Sequence, residues 1–273
     1  MTEPPPLPPL SDVIRRYRLS ARRSLGQHFL LDPNLTGRIA RAAAPLDRGT
    51  VIEVGPGPGG LTRSLLAEGA ARLVAVELDP RCIEALEELR LAYPDRLEIR
   101  TGDALEIDPG ALGPAPRRIV ANLPYNVGTA LLTRWLPGLE RFERLVLMFQ
   151  KEVADRLAAK PRSKDYGRLS VAVQWRAEVT RLFDIPPRAF TPPPKVTSTV
   201  VDIRPLAAPR YPADGDILER VTAAAFGQRR KMLRQSLRRL MPDPLPVLAA
   251  AGIAGTARAE ELSVEAFAAL ARA

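Results

Sequence analysis

The sequence predicts an α/β fold: a doubly wound parallel sheet followed by a small all-helical unit. Three observations carry this. Short β-branched runs alternate with amphipathic helical patterns from Thr50 to Ile203, the order that builds a parallel sheet with right-handed crossovers. A glycine-rich turn, Gly55-Pro56-Gly57-Pro58-Gly59-Gly60, joins the first such run to the first such helix. Around Pro205 to Pro212 the composition shifts to proline, alanine and arginine, and only helical patterns follow. The expected division is a basic, proline-rich extension over 1–20, an α/β domain over 21–205 and a helical domain over 206–273.

The elements follow in order. Met1 to Leu10 reads as a disordered or polyproline II tail without a signal-peptide core. Ser11 to Arg23 sets Arg15, Arg16, Arg18, Arg22 and Arg23 against Asp12. Asp32-Pro33 opens a helix to about Ala44, with aspartate as cap and proline at the first position. Thr50 to Val54 is a strand, and Leu61 to Glu68 a helix. The second strand, Arg72 to Val76, runs into Glu77, and a helix spans Pro80 to Ala92. The third, Leu97 to Arg100, ends at Gly102-Asp103-Ala104. A fourth, Arg118 to Ala121, ends at Asn122, with a helix over Val127 to Leu136. A fifth, Leu145 to Phe149, precedes a helix to Ala159. Tyr166-Gly167-Arg168 sits in a basic loop before Leu169 to Trp175, and Thr197 to Ile203 is a last β-type run. Beyond the linker, one helix is expected from Asp216, with Glu219 completing a capping box. A second runs through Phe226 to Leu240 with six basic residues and no acid, and a third starts near Ser263.

Composition narrows the chemistry. The 273 residues carry a net charge of +9 and a pI near 10.3, which points to a polyanionic partner, nucleic acid or an anionic membrane surface. There is no apolar run of about 18 residues to form a spanning helix. One cysteine, Cys82, excludes an intramolecular disulfide and any multi-cysteine metal site. One histidine, His28, removes most zinc and iron constellations and most catalytic triads. The expectation is a cytoplasmic protein without a metal, working through positioning, backbone and amides. Nothing suggests oligomerisation, so a monomer is expected.

Two stretches carry the candidate site. Asn122-Leu123-Pro124-Tyr125 stands where the fourth strand ends, the edge at which open parallel sheets bind ligands. Asn122 offers a carbonyl oxygen, Leu123 and Pro124 offer backbone carbonyls, and Tyr125 a flat ring. Together they suit the exocyclic amine of a planar heterocycle. The other stretch is the glycine turn. Gly55-x-Gly57-x-x-Gly60 matches a dinucleotide fingerprint, with Glu77 near the ribose position. Glu53-x-Gly55-x-Gly57-x-Gly59 instead resembles methyltransferases that use S-adenosylmethionine. Both ligands contain adenosine, and Asp103 is placed to accept an adenine amine. Pro56 and Pro58 remove two donors, which weakens the pyrophosphate reading without closing it.

Seven motifs in order give a resemblance: Gly26-Gln27-His28-Phe29-Leu30, Glu53 to Gly60, Gly102-Asp103-Ala104, Asn122 to Tyr125, Phe190-Thr191-Pro192-Pro193-Pro194-Lys195-Val196, Phe226-Gly227-Gln228-Arg229-Arg230-Lys231 and Glu261-Leu262-Ser263. From about residue 20 to the end, the chain resembles the small-subunit ribosomal RNA adenine dimethyltransferase family. The resemblance implies a Rossmann-like class I S-adenosylmethionine-dependent methyltransferase domain with a helical C-terminal RNA-binding domain. It implies transfer of methyl groups to N6 of two adjacent adenosines in the 3′-terminal hairpin loop of 16S rRNA. The partner would be 16S rRNA or a small-subunit precursor. Carried over, the cofactor contacts would be His28, Leu30, Gly55, Glu77, Asp103 and Asn122. The reacting site would be Asn122, Leu123, Pro124 and Tyr125, with Phe190 as the opposite stacking face. The RNA contacts would be Arg22, Arg23, Arg229, Arg230, Lys231 and Arg234. Position 28 is more often asparagine in the family, and Thr197 stands where aspartate is usual.

Four rivals remain. A large-subunit rRNA methyltransferase of the resistance type would use the same pocket. A DNA adenine methyltransferase would need a target-recognition domain that nothing here resembles. A non-catalytic assembly or transcription factor on this fold could dispense with Asn122 and Glu77. A nicotinamide dehydrogenase would bind the other cofactor.

Overall fold

The computed structural model describes residues 7–19 and 27–273. The chain divides into two compact units, Met1–Lys151 with Arg181–Ile203, and Glu152–Thr180 with Arg204–Ala273.

In the first unit, α1 (Leu10–Arg16), β1 (Phe29–Leu30) and α2 (Pro33–Ala42) precede the alternating core. That core is β2 (Thr50–Val54), α3 (Gly60–Ala67), β3 (Leu73–Glu77), α4 (Pro80–Ala92), β4 (Leu97–Thr101), β5 (Arg117–Asn122), α5 (Gly128–Trp135) and β6 (Arg144–Gln150). After α6 (Lys151–Leu157) and α7 (Arg168–Arg176) come β7 (Ala177–Ile185), β8 (Phe190–Thr191) and β9 (Ser198–Pro205). The main sheet has the order β4-β3-β2-β5-β6-β9-β7. Every residue of β2 and β3 is buried, as expected of parallel strands covered on both faces. Strand order reverses between β2 and β5, so the chain leaves a crevice at their carboxyl ends.

Four strand pairs of this sheet are parallel, but β6 and β9 are antiparallel. The all-parallel expectation is corrected there. Arg144 and Asp202 cross that antiparallel pair with two bonds of 2.7 and 2.8 Å, both side chains largely buried. β7 was not anticipated: exposed Glu178, Arg181 and Asp184 dilute its apolar pattern, as edge strands commonly do. Residues 7–19 of the proline-rich extension are also structured. Val13 of α1 and Leu19 are buried with Phe29, Cys82 and Ala85, and Arg16 grips Glu88 at 2.8 and 3.0 Å. Asp32 caps α2 as expected, accepting from the Asn34 N–H at 2.8 Å.

The second unit contains α8 (Gly215–Gly227), α9 (Leu233–Ser236), α10 (Leu245–Ala250) and α11 (Val264–Arg272). It also takes in residues 152–180, which the linker reading left in the α/β domain. Tyr166, Val171 and Trp175 explain this, because they share one apolar cluster with Leu218, Val221 and Phe267. The cap of α8 is Asp214, whose carboxylate accepts from the N–H groups of Asp216 and Ile217; Asp216 lies inside the first turn. The single helix expected over Phe226 to Leu240 is broken. α8 stops at Gly227 and helix resumes only at Leu233. At the break Met232 is extended and bridges Arg258, and the Leu233 N–H donates to the Ala257 carbonyl at 2.8 Å instead of to a preceding helical turn. Ser263 caps α11 through Ala266 N–H.

Candidate active site

A cleft of about 270 Å³ opens at the β2–β5 crevice. Its walls come from the carboxyl ends of four strands: the glycine turn after β2, Glu77 and Leu78 after β3, Gly102 to Leu105 after β4, and Asn122 to Val127 after β5. Gln27 to Leu30 closes one side.

The glycine turn is dictated by backbone geometry. Gly55, Gly57 and Gly59 have φ of 67°, 56° and 88°, conformations that side chains oppose. A Cβ on Gly57 would meet the Phe29 ring at 3.1 Å, and one on Gly60 would meet the Leu30 carbonyl oxygen at 2.7 Å. Space at Gly55 is bounded by Pro124, 3.6 Å from the Cβ position, so the two candidate stretches face each other directly.

Two buried carboxyls stand beneath the turn. Glu77 accepts from the N–H groups of Gly57 at 3.0 Å, Leu78 at 2.8 Å and Asp79 at 2.9 Å. Burial nevertheless raises its pKa, partly offset by those bonds. Glu53 is 1% exposed and its Oε2 has no partner. Burial pushes it up to about 8, the nearby Glu77 adding to the effect. Asp103 gives one oxygen to Leu105 N–H at 2.8 Å, which fixes the side chain at the turn.

On the opposite wall, the Asn122 amide donates to the His28 carbonyl at 3.0 Å. That bond commits Nδ2 and leaves Oδ1 as the acceptor. The Pro124 carbonyl accepts from Val127 and Gly128 N–H as α5 begins. The Leu123 carbonyl accepts from no described residue, so it is the backbone oxygen at liberty. The Tyr125 hydroxyl bonds Ser198, and its ring lies 5.2 Å from that of His28. His28 Nδ1 faces the Pro192 carbonyl at 2.8 Å and must donate to it.

The structure thus brings His28, Leu30, Gly55, Glu77, Asp103, Asn122, Leu123, Pro124 and Tyr125 to one cleft. Phe190 is corrected: its ring is 3% exposed in the apolar core, where β8 pairs with β1, and it lines no part of the cleft. Of the basic residues, Arg230, Lys231 and Arg234 are exposed, all in the second unit. Arg229 is engaged, bonding Glu260 at 2.7 Å and the Ser163 carbonyl at 3.0 Å. Arg22 and Arg23 lie outside the described residues. Sequence reasoning missed Leu78, half exposed on the cleft wall; a large apolar residue following the strand-end acid was its only signal. Among the described residues no cluster of His, Cys, Asp or Glu could hold a metal, and no helix is long and apolar enough to cross a membrane.

Residues 18–273 match the family model described as ribosomal RNA adenine dimethylase. The chain is 64% identical to ribosomal RNA small subunit methyltransferase A of Rhodospirillum rubrum, over 98% of this chain and 92% of that one. It is also 64% identical to the protein of the same name in Paramagnetospirillum magneticum, over 98% and 95%. Among solved structures, a dimethyladenosine transferase from Plasmodium falciparum superposes with a TM-score of 0.76 at 26% identity, over 89% of this chain and 96% of that one. The 23S rRNA methyltransferase ErmE gives 0.67 at 29%, over 89% and 98%.

Proposed function

This chain belongs to the ribosomal RNA adenine dimethylase family, and from that membership we infer its reaction. It is an rRNA adenine N6,N6-dimethyltransferase on a Rossmann-like α/β domain. We propose that its targets are two adjacent adenosines in the 3′-terminal hairpin loop of 16S rRNA. It would act in the cytoplasm, as a monomer, on the small-subunit precursor. The observation that carries the reading is the direct apposition of Gly55 and Pro124 across one cleft.

We propose S-adenosylmethionine as the donor. The residues fit it: a backbone cradle with no Cβ at its closest points, two buried carboxyls, and an unpartnered Glu53 oxygen at the cleft wall. Glu77 would hold the ribose hydroxyls, Asp103 the adenine amine, and Leu30 and Gly55 would lie against the nucleoside. His28 would reach the carboxylate end through its second nitrogen. When bound, the donor supplies an electrophilic sulfonium methyl.

The protein's share of the chemistry is alignment. An adenine N6 is a poor nucleophile because its lone pair is delocalised into the ring. It has two hydrogens. Asn122 Oδ1 accepts one and the Leu123 carbonyl the other, drawing nitrogen toward tetrahedral geometry. The lone pair then points out of the ring plane, and alignment lowers the barrier. Both oxygens also stabilise positive charge developing on nitrogen. No strong base is needed, since the product proton can depart after transfer. Tyr125 offers its ring to the extruded base, returning about 1–3 kcal/mol of stacking against the cost of unstacking.

A 23S target of the kind named for ErmE is the second reading, favoured by that superposition. The higher identity to small-subunit enzymes, 64% against 29%, argues for 16S. Mass mapping of rRNA after incubation with a labelled donor tests this. The expected result is two dimethylated adenosines in the 3′ hairpin loop of 16S rRNA; label confined to 23S rRNA would reverse it.

A further inference from the structure

The second unit holds a basic loop that the motifs did not single out. Lys160, Arg162 and Lys164 are exposed, and none forms an ion pair with a described residue. The loop is nonetheless shaped. Arg162 holds φ of 70°, a left-handed conformation that a non-glycine residue keeps only when its surroundings impose it. Its N–H donates to the Glu260 carbonyl at 2.7 Å. Ser163 ties back to the Lys160 carbonyl through its hydroxyl at 2.7 Å. The Ser163 carbonyl accepts from Arg229, whose Nε is bound to the Glu260 carboxylate. One arginine therefore joins the 160–164 loop to the break after α8, which carries exposed Arg230 and Lys231.

We propose that Lys160, Arg162 and Lys164 form, with Arg230 and Lys231, one surface for the phosphate backbone of the substrate RNA. Arg229 is the clasp that presents this surface and is not itself a phosphate ligand. The inference rests on RNA being the substrate, as argued above, and adds which residues hold it. Two loops from distant parts of the sequence, one shared acid and five cations that form no ion pair with a described residue converge here. An acid in a phosphate-binding face is unfavourable by charge alone; Glu260 has a reason to be there if it fixes both loops.

Binding of 16S rRNA by the full chain, titrated against salt, tests both halves. Neutralising the loop with K160A/R162A/K164A should weaken binding at least about tenfold. It should also flatten the log–log salt dependence by roughly 2–3, at about 0.9 per lost phosphate contact on a duplex. An unchanged slope overturns the surface. These side chains are exposed, so that variant does not depend on the clasp for folding. Glu260→Gln separates clasp from charge. Removing a negative charge should tighten RNA binding if only charge counts; the clasp requires it to weaken, as Arg229→Lys should despite keeping its charge. Tighter binding by Glu260→Gln, or wild-type affinity in Arg229→Lys, overturns the clasp. Methylation by the unaltered protein is the control: if it methylates 16S rRNA and the loop variant binds normally, only this inference falls. Failure of the unaltered protein to bind or methylate 16S rRNA removes the substrate reading, and this inference with it.

Discussion

The cleft and the basic face of the helical unit solve recognition in opposite ways. In the cleft, backbone does most of the work: glycines with positive φ, N–H groups on Glu77, and a Leu123 carbonyl to which no described residue donates. On the basic face, long cations stand in solvent, and backbone serves only to hold their loops. Backbone donors and acceptors have fixed directions, which suits placing one nitrogen lone pair. Solvated cations have reach without direction, which suits a phosphate chain of irregular shape. The two regions should therefore fail differently when altered.

The largest separation is expected for Asn122→Ala. It removes the oxygen held in place by the His28 contact, and methyl transfer should fall by at least about 10²-fold, the scale of losing one preorganised electrostatic contact. If the proposed basic face supplies RNA affinity, that affinity should change little. A loss of RNA binding comparable with the loss of transfer, measured on the same preparations, would break the division.

Next comes Glu53→Gln, read through stability against pH. Unfolded, this carboxyl titrates near 4.5; folded, it is pushed up to about 8. Between those values the folded state holds a proton that the unfolded state has lost. Stability from this group is thus fully present below about 4.5 and declines as pH rises to about 8. The slope is at most about 1.4 kcal/mol per pH unit. Glutamine removes that slope, so denaturant unfolding of the variant should be flatter across the window. Identical slopes would show that Glu53 ionises freely in the fold.

Gly57→Ala should act more locally. Its φ of 56° strains any side chain, and the Phe29 ring at 3.1 Å would have to give way to a methyl, at a cost of about 1–2 kcal/mol. Calorimetry should show weaker binding of the methyl donor with RNA affinity intact. Equal donor affinity would mean that the turn relaxes freely and the cradle is not rigid.

How much of this was legible in the sequence follows the same contrast. The first five strands of the main sheet, the turn and the acids beside it could be read because glycine, proline and strand-end acids carry local geometric meaning. What escaped depends on distant partners. The antiparallel run of β9 is set by the chain's route through β7, an edge strand with weak apolar alternation. The resemblance placed Phe190 as the opposite stacking face, and nothing local in the sequence reveals that β8 pairs with β1 in the core. Arg229 looked interchangeable with Arg230; only the fold brings Glu260 and Ser163 to one of them.

The smallest expected effect is the most discriminating for the cleft. Tyr125 has two separable parts, a ring on the cleft wall and a hydroxyl bound to the buried Ser198. Tyr125→Phe keeps the ring and removes a hydrogen bond worth about 1 kcal/mol net, so kcat/KM should fall only a few-fold. Tyr125→Ala loses the stacking surface as well, a further 1–3 kcal/mol or roughly 5- to 160-fold. If the ring is the platform for the extruded base, the two variants differ by that factor under subsaturating RNA. If they are equally impaired, the hydroxyl anchor to Ser198 is what matters. Tyr125 would then act by holding the Asn122–Tyr125 segment in shape, and the base would need another partner.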